Sequence, residues 1–216
     1  GIPLNRPKGP LKYFMTWSLD GLLNEYRDDC EVLVNGEIKT VPGLSDLEIV
    51  DPEWSGCVAL EAFCTSGGAA HTIKSMQKRG VKNCTYKTIR WFGHHELIDF
   101  FMNKCKFDND QLTHILEASA KYEDSHKDVV VIMVDVKNDS GLTWKKEYVI
   151  ECDEFSAMQK STAFPISTIA SMMAEGMFDN RKDEKRGYYA NLSNCLTYSD
   201  IPFREFNKRL NTLLNK

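Results

Sequence analysis

Hydrophobic and polar positions near the start of the chain change from a helical spacing to a strand-like alternation. Ser18 is expected to cap a short helix through Asp20 to Tyr26, because a hydroxyl at that position accepts a backbone hydrogen bond worth about 1 kcal/mol. The stretches Glu31 to Val34 and Glu37 to Val41 flank Asn35-Gly36, a dipeptide that tolerates the positive φ of a tight turn. The pattern therefore predicts a helix followed by a β-hairpin.

The next apolar stretches predict two strands separated by a helix. Val58 to Thr65 reads as a buried strand that ends at Ser66-Gly67-Gly68 and leads into a helix, Ala70 to Lys78. Cys84 to Phe92 is a second strand. Because side chains alternate along a strand, four residues are predicted to share one of its faces. They are Tyr86, Thr88, Arg90 and Phe92.

The rest of the chain continues this mixture of helical and strand patterns. The predicted helices are His95 to Cys105, Asp110 to Ala120, Ser161 to Gly176 and Phe203 to Leu214, and the predicted strands are Asp128 to Val136 and Thr143 to Cys152. The helix at Ser161 has Pro165 in its first turn and an apolar, core-facing stripe of Ile166, Ile169, Ala170, Met173 and Met177. Two hairpins among these elements predict an α+β fold, with helices packed on one face of a mixed, largely antiparallel sheet.

Composition restricts the class of protein. Of the 216 residues, 42% are hydrophobic, enough for a substantial core. The net charge of -4 comes from 27 basic and 31 acidic residues spread along the chain, whereas a nucleic-acid surface needs clustered positive charge. No apolar stretch reaches the roughly 18 residues of a membrane span, and the first residues do not resemble a signal peptide. We therefore expect a cytoplasmic protein that binds neither nucleic acid nor membranes.

The cysteines and histidines do not form a metal motif. None of the seven cysteines stands in C-x-x-C spacing, and His94-His95-Glu96 lacks the histidine spacing of H-E-x-x-H. Free, buried thiols in a reducing compartment are the expected state of the cysteines. The sequence predicts no metal site.

The glycines do not form a nucleotide-binding motif. None of the 13 glycines belongs to G-x-G-x-x-G or G-x-x-x-x-G-K-[ST]. A dinucleotide cofactor needs such glycines so that backbone amides at a helix start can approach its pyrophosphate. We therefore expect this chain to bind no nicotinamide cofactor by itself.

Four positions offer binding chemistry, and each has a structural alternative. Arg90 could bind a substrate carboxylate through two charge-assisted hydrogen bonds, or pair with an acid at a surface. His94, at a strand-to-helix junction, could shuttle a proton near pH 7 or hydrogen-bond a ligand. The Ser66-Gly67-Gly68 loop could hold an anion at the following helix start, although a plain turn is the more common meaning. Trp17 could line a ligand cleft or belong to the core.

A series of short motifs follows along nearly the whole chain: Pro10 to Tyr26, Val34 to Glu37, Pro42 to Leu44, Leu60 to Gly68, Tyr86 to His94 and Ser156 to Pro165, then Ala170 and Gly176. In this order they resemble the second domain of the saccharopine dehydrogenase family, with lysine 6-dehydrogenase-like enzymes as the closest subgroup. The resemblance implies that a Rossmann domain, absent from this sequence, precedes this region. Residues 1–12 would be the linker or crossover from it, and 13–216 the substrate-binding and dimerisation domain.

The activity implied by the resemblance belongs to the full-length enzyme. Family members bind a lysine-derived amino acid between the two domains and transfer hydride between its C–N bond and NAD or NADP. The present region would supply substrate contacts and a homodimer interface, with no catalytic residue of its own, and would be inactive alone. Six positions would face the cleft: Trp17, Ser18, Ser66, Thr88, Arg90 and His94. Arg90 would bind the substrate carboxylate.

Two positions depart from the family pattern and leave the substrate open. Saccharopine-forming members carry an arginine-bearing loop near Cys64 to Gly68, and many relatives have glycine where Ala163 stands. A different class of function also stays open. The chain could be an interaction or regulatory module derived from such a domain, which holds a partner through its sheet face without catalysis.

Overall fold

Two compact units make up the chain, Gly1–Met158 and Gln159–Lys216. The computed structural model describes residues 1–15, 17–56, 58–68, 71–120, 127–178, 196 and 198–215. The domain boundary predicted after residue 12 falls inside the first unit. Ile2 and Leu11, on the N-terminal side of that boundary, are both buried in cores of this unit.

The first unit alternates strands and helices. Its elements, in chain order, are β1 (Ile2–Pro3), α1 (Leu19–Arg27), β2 (Cys30–Val34), β3 (Glu37–Val41), β4 (Glu48–Val50), β5 (Leu60–Cys64), α2 (Thr72–Lys78), β6 (Lys87–Trp91), α3 (His94–Asp99), α4 (Asn109–Ser119), β7 (Asp128–Lys137) and β8 (Thr143–Glu151). A π-helical turn, Phe100–Lys104, continues α3. Helix α5 (Ala157–Ala174) begins at the end of this unit and continues into the second, which also contains α6 (Phe203–Leu214).

The described strands form three small sheets in which every pair is antiparallel. Their orders are β1-β7-β8, β2-β3 and β4-β5-β6. The predicted hairpins β2–β3 and β7–β8 are both confirmed. Asn35 and Gly36 turn the first hairpin with φ of 52° and 84°, the left-handed values that this dipeptide permits. The predicted α+β class is confirmed.

The main core lies between α1, α4 and the strand β5. Ser18 caps α1 by accepting a hydrogen bond from the Gly21 amide, as predicted. Asp108 and Gln111 form a capping box at the start of α4. Buried apolar side chains from these elements include Leu22, Leu23, Phe63, Leu112 and Leu116. Each contributes about 1.5 to 3 kcal/mol of hydrophobic free energy.

Helix α5 differs from its prediction in both its start and its buried side. It begins at Ala157, because the buried Asp128 carboxylate accepts hydrogen bonds from the Ala157 and Met158 amides at 2.7 and 3.0 Å. Pro165 therefore lies inside the helix, not in its first turn. The predicted core-facing stripe is also wrong: Ile166 is 69% exposed, whereas Thr168 and Met172 are buried. Apolar residues occur on several sides of this helix, so their spacing does not define one buried face.

The described part of the chain contains neither a membrane-spanning helix nor a cluster of metal-ligating side chains. None of its helices combines the length and apolar character that crossing a membrane requires. Among the same residues, no three His, Cys, Asp or Glu side chains are grouped so that they could hold a metal ion. The described cysteines are free thiols; of these, Cys30 and Cys64 are buried as predicted, whereas Cys84, Cys105 and Cys152 are only half-buried.

Candidate functional site

Arg90 is a buried cation at the centre of the candidate site. Strand β6 pairs with β5 so that Thr88 and Arg90 occupy the same face, and Arg90 is only 3% exposed. Its Nε donates to the Tyr26 hydroxyl at 3.0 Å, and its Nη1 donates to the Ile89 carbonyl at 2.9 Å. The guanidinium carbon lies 4.9 Å from the centre of the Tyr13 ring, a cation–π distance.

The guanidinium makes no direct ion pair with a carboxylate of the described residues. Its two hydrogen bonds go to a neutral hydroxyl and a carbonyl, and no described acid forms an ion pair with it. An arginine stays charged in proteins and carries five N–H donors. A buried charge is costly unless it is paired, so the unused donors favour an anionic ligand.

A chain of hydrogen bonds behind Arg90 fixes its orientation. The Tyr26 hydroxyl lies 2.9 Å from His94 Nε2, and His94 Nδ1 lies 2.6 Å from the Leu11 carbonyl oxygen. Burial, and then the nearby charge of Arg90, lower the pKa of His94 to about 3, so the ring is neutral. Since a carbonyl only accepts, Nδ1 carries the proton and Nε2 accepts from Tyr26. The Tyr26 oxygen is then free to accept from Arg90.

A cavity of about 350 Å³ lies beside Arg90. One wall is the β6 side, Thr85 to Arg90, and the other is the apolar stretch Val130 to Val134 of β7, with Gly1 and Ile2 also in the lining. A small cavity that apolar side chains line together with Arg90 and Lys87 suits an aliphatic molecule that carries a carboxylate.

Helix α1 brings a carboxylate, Glu25, into the electrostatic neighbourhood of Arg90. Glu25 directly precedes Tyr26 and is half-buried. Burial raises the pKa of Glu25, and the Arg90 charge acts in the opposite direction. Its carboxylate makes no hydrogen bond or ion pair with a described residue.

The Ser66 loop is fastened to the same helix. The Ser66 amide donates to the Glu25 carbonyl at 2.9 Å, and the Gly68 amide donates to the Ser66 carbonyl at 3.0 Å. The Tyr86 ring covers Gly68 so closely that a Cβ there would lie 2.2 Å from the ring. A second cavity of about 220 Å³ adjoins Ser66, Thr65 and Tyr86. These contacts give the loop the geometry of a turn.

The predicted site residues take different places around Arg90. Trp17 is linked to Arg90 through Tyr13: the Trp17 Nε1 donates at 3.2 Å to the hydroxyl of Tyr13, whose ring lies against the guanidinium. The Thr88 and Thr65 hydroxyls share a hydrogen bond of 2.6 Å, so the Thr88 hydroxyl is already bonded within the protein. Ser18 caps α1. His94 is fully buried, and both of its ring nitrogens are bonded within the protein. Its role is therefore to orient Tyr26, and through Tyr26 the Arg90 side chain.

Sequence reasoning did not single out Tyr13, Tyr26 or Glu25 as site residues. Two of them, Glu25 and Tyr26, lie in the last turns of a capped, amphipathic helix, and that position is the signal that could have identified them. Leu22, Leu23 and Tyr26 form the buried side of this helix. A tyrosine on that side needs a partner for its hydroxyl, and Arg90 is a suitable one.

Comparisons with known proteins agree with this architecture. A family model, described as the saccharopine dehydrogenase C-terminal domain, matches residues 1–191. Apo histidine-tagged saccharopine dehydrogenase (L-Glu forming) from Saccharomyces cerevisiae has a similar structure, with a TM-score of 0.57 and 16% sequence identity. The similarity covers 81% of this chain and 57% of the yeast chain, so this chain spans little more than half of that protein's length.

The two comparisons support different statements. At this level of identity, the likeness to the yeast enzyme shows the fold alone. The family model covers most of the chain and shows the family. A nearer relation to lysine 6-dehydrogenase-like enzymes stays a prediction. The chain belongs to the saccharopine dehydrogenase C-terminal domain family.

Proposed function

We propose that this region is the substrate-binding domain of an amino-acid dehydrogenase, and that Arg90 binds the carboxylate of a lysine-derived substrate. In the full-length enzyme, hydride would pass between the substrate C–N bond and NAD or NADP. The observation that carries the proposal is a buried arginine that lines a cavity and makes no direct ion pair with a described acid. Tyr26, His94 and Leu11 hold this cation in place, so it is oriented before a ligand arrives.

The described residues do not fit a dinucleotide cofactor. The loop before α2 is the nearest resemblance to a phosphate-binding turn, but its Ser66 and Gly68 amides already donate to carbonyls. Helix α2 has only seven residues. We therefore assign NAD or NADP to a preceding nucleotide-binding domain, which would supply the hydride acceptor or donor. The present chain would contribute binding and orientation of the substrate.

The carboxylate assignment is tested by replacing Arg90 with lysine, which keeps the positive charge and removes the fork of donors. Isothermal titration with L-lysine should show about tenfold to a hundredfold weaker binding by Arg90→Lys, the loss expected for one charge-assisted hydrogen bond. Arg27→Lys is the matched control, because Arg27 is an exposed arginine of α1. Equal affinities of Arg90→Lys and the unchanged protein would remove Arg90 from the site.

Dimerisation is the second part of the proposal. Strands β7 and β8 carry exposed apolar side chains on one face, where Ile132 opposes Tyr148 and Val136 opposes Trp144. An exposed apolar patch of this kind favours a protein–protein contact. The same face supports the alternative function, an interaction module without catalysis, if it binds a different protein.

A further inference from the structure

The cavity beside Arg90 lies between the edges of two strands. One wall is the β6 side, Thr85 to Arg90, and the other is Val130 to Val134 of β7. Among the described strands, β6 pairs with β5 alone, and β7 beyond Val129 pairs with β8 alone. An unpaired strand edge presents a row of backbone N–H and C=O groups to which another strand can bind.

The alternation of hydrogen bonds along β7 identifies the backbone groups that face the cavity. The Lys127 carbonyl accepts from the Leu4 amide at 2.8 Å on the β1 side, whereas the Asp128 carbonyl accepts an amide just after β8 at 3.2 Å. In an antiparallel ladder, successive residues direct their backbone groups to opposite neighbours. Val131 and Met133 therefore direct their N–H and C=O groups into the cavity, where no described strand lies opposite them.

Strand β1 already occupies one end of this gap. Ile2 pairs with Val129, and the Trp91 indole donates to the Pro3 carbonyl at 2.9 Å, so β1 lies next to both β7 and β6. Ile2, Val129 and Trp91 belong to one apolar cluster, against which Ile89 packs. Continuing β1 backward in the same register leads directly into the cavity.

The amine of Gly1 supports the same continuation. Gly1 lines the cavity, and a Cβ built on it would lie 3.0 Å from Met158 and 3.3 Å from Val130. Burial lowers the pKa of the Gly1 amine to about 5, and the charge of Arg90 acts in the same direction. A peptide N–H in this place would carry no charge, so it would avoid the desolvation cost of an ammonium group.

We propose that the gap between β6 and β7 is a slot for one extended strand, formed by the residues that immediately precede Gly1 in a longer chain. Because Ile2 opposes Val129, the four residues before Gly1 would lie opposite Val131 to Val134. They would join the sheets β4-β5-β6 and β1-β7-β8 into one six-stranded sheet. A preceding domain would then be attached through a hydrogen-bonded strand and not through a flexible linker.

The strand would also border the proposed carboxylate site. Its main chain would bond in the plane of the sheet, whereas the Arg90 side chain projects toward Tyr26 of α1. Side chains alternate along a strand, and Ile2 shares the face of Ile89. The second residue before Gly1 would therefore share the face of Arg90 and narrow the cavity there. This contribution to the site rests on the proposed function of Arg90, but the slot itself does not.

Amide hydrogen exchange, measured by NMR, tests the slot residue by residue. In the chain as it stands, the Val131 and Met133 amides should exchange about tenfold faster than those of Ile132 and Val134, which are directed to β8. A second protein carries the extension Thr-Val-Thr-Val before Gly1, a probe rich in strand-forming residues. The extension should slow exchange at Val131 and Met133 about tenfold and leave Ile132 and Val134 unchanged.

The matched control is the extension Thr-Pro-Thr-Pro, which has the same length but lacks the two N–H groups that would bond to β7. It should leave exchange at Val131 and Met133 fast. Equal exchange with the two extensions would overturn the proposal. Slow exchange at Val131 and Met133 in the chain without an extension would also overturn it, because the edge would then not be open.

The slot and the carboxylate site can fail independently. Arg90→Lys in the protein extended by Thr-Val-Thr-Val should leave the protection of Val131 unchanged, because the strand bonds to main-chain groups. The titration of Arg90→Lys with L-lysine tests the carboxylate site alone. Protection that disappears in a folded Arg90→Lys variant would contradict a slot made by the backbone edges.

Discussion

At the scale of single residues, the site depends on a charge that the fold buries and holds without a direct ion pair to a described acid. Arg90 has two neutral hydrogen-bond partners and a tyrosine ring against its guanidinium. Such a cation has a large desolvation cost, and fixed neighbours prevent it from turning toward water. This arrangement is expected at a ligand site more than at a purely structural arginine.

The neutral state of His94 predicts a pH dependence of stability. Its pKa is about 3 in the folded protein, against 6.5 for an ordinary histidine. Below pH 6.5 the unfolded chain therefore binds a proton that the folded protein does not, and stability falls as the pH falls through this window. One proton corresponds to a slope of about 1.4 kcal/mol per pH unit.

His94→Gln should remove this contribution, because glutamine does not titrate but can still accept from Tyr26. Urea unfolding at several pH values between 4 and 8 measures the slope. The variant's stability at pH 8 gives the separate cost of repacking, which is subtracted. Parallel profiles for the two proteins over this range would show that His94 is not the neutral, buried group described above.

At the scale of elements, the start of α5 depends on one carboxylate. Asp128 is buried at the first position of β7 and accepts from two helix amides. Asp128→Ala should leave both amides unsatisfied and lower the free energy of unfolding by about 1 to 3 kcal/mol. Asp128→Asn keeps one acceptor and should cost less. Chemical denaturation compares the two variants, and equal losses would contradict the capping role.

Local signals were enough to predict several elements. Ser18 before α1, Asn35-Gly36 between β2 and β3, and the long alternation in β7 and β8 specify their structure within a few residues. The start of α5 could not be predicted in this way, because Asp128 and Ala157 are 29 residues apart. Spacing also failed to give the buried side of α5, since a helix with apolar residues on several sides has no single preferred face.

The site could be predicted only in part for the same reason. Arg90 and His94 stand out in the sequence as chemical groups near a strand end. Their partners come from far away in the chain: Tyr26 is 64 residues from Arg90, and Leu11 is 83 residues from His94. Which nitrogen of His94 carries the proton follows only from the folded arrangement.

At the scale of the whole molecule, the comparison with a solved structure bears on the proposed division of labour. It spans little more than half of the length of the yeast saccharopine dehydrogenase chain that it resembles. The proposed division of labour places substrate contacts and dimerisation in this region and the nicotinamide cofactor elsewhere.

The dimer proposal predicts a change of molecular mass. Trp144→Lys places a charge on the apolar face of β7 and β8, where the tryptophan is 53% exposed, and should convert a dimer to a monomer in light scattering. Thr143→Lys is the matched control, because Thr143 lies on the opposite face of the same strand. A monomeric unchanged protein would contradict the dimer, and a dimer that survives Trp144→Lys would exclude this face.

The most direct test of the central claim observes the Arg90 guanidinium itself during binding. In ¹⁵N NMR spectra of the full chain, the Arg90 side-chain resonance is assigned by its loss in Arg90→Lys and followed as L-lysine is added. A ligand carboxylate on the guanidinium should shift this resonance with a saturable dependence on concentration, while the exposed Arg27 stays unchanged. Saturable binding that leaves the Arg90 resonance in place would contradict the claim that Arg90 binds the substrate carboxylate.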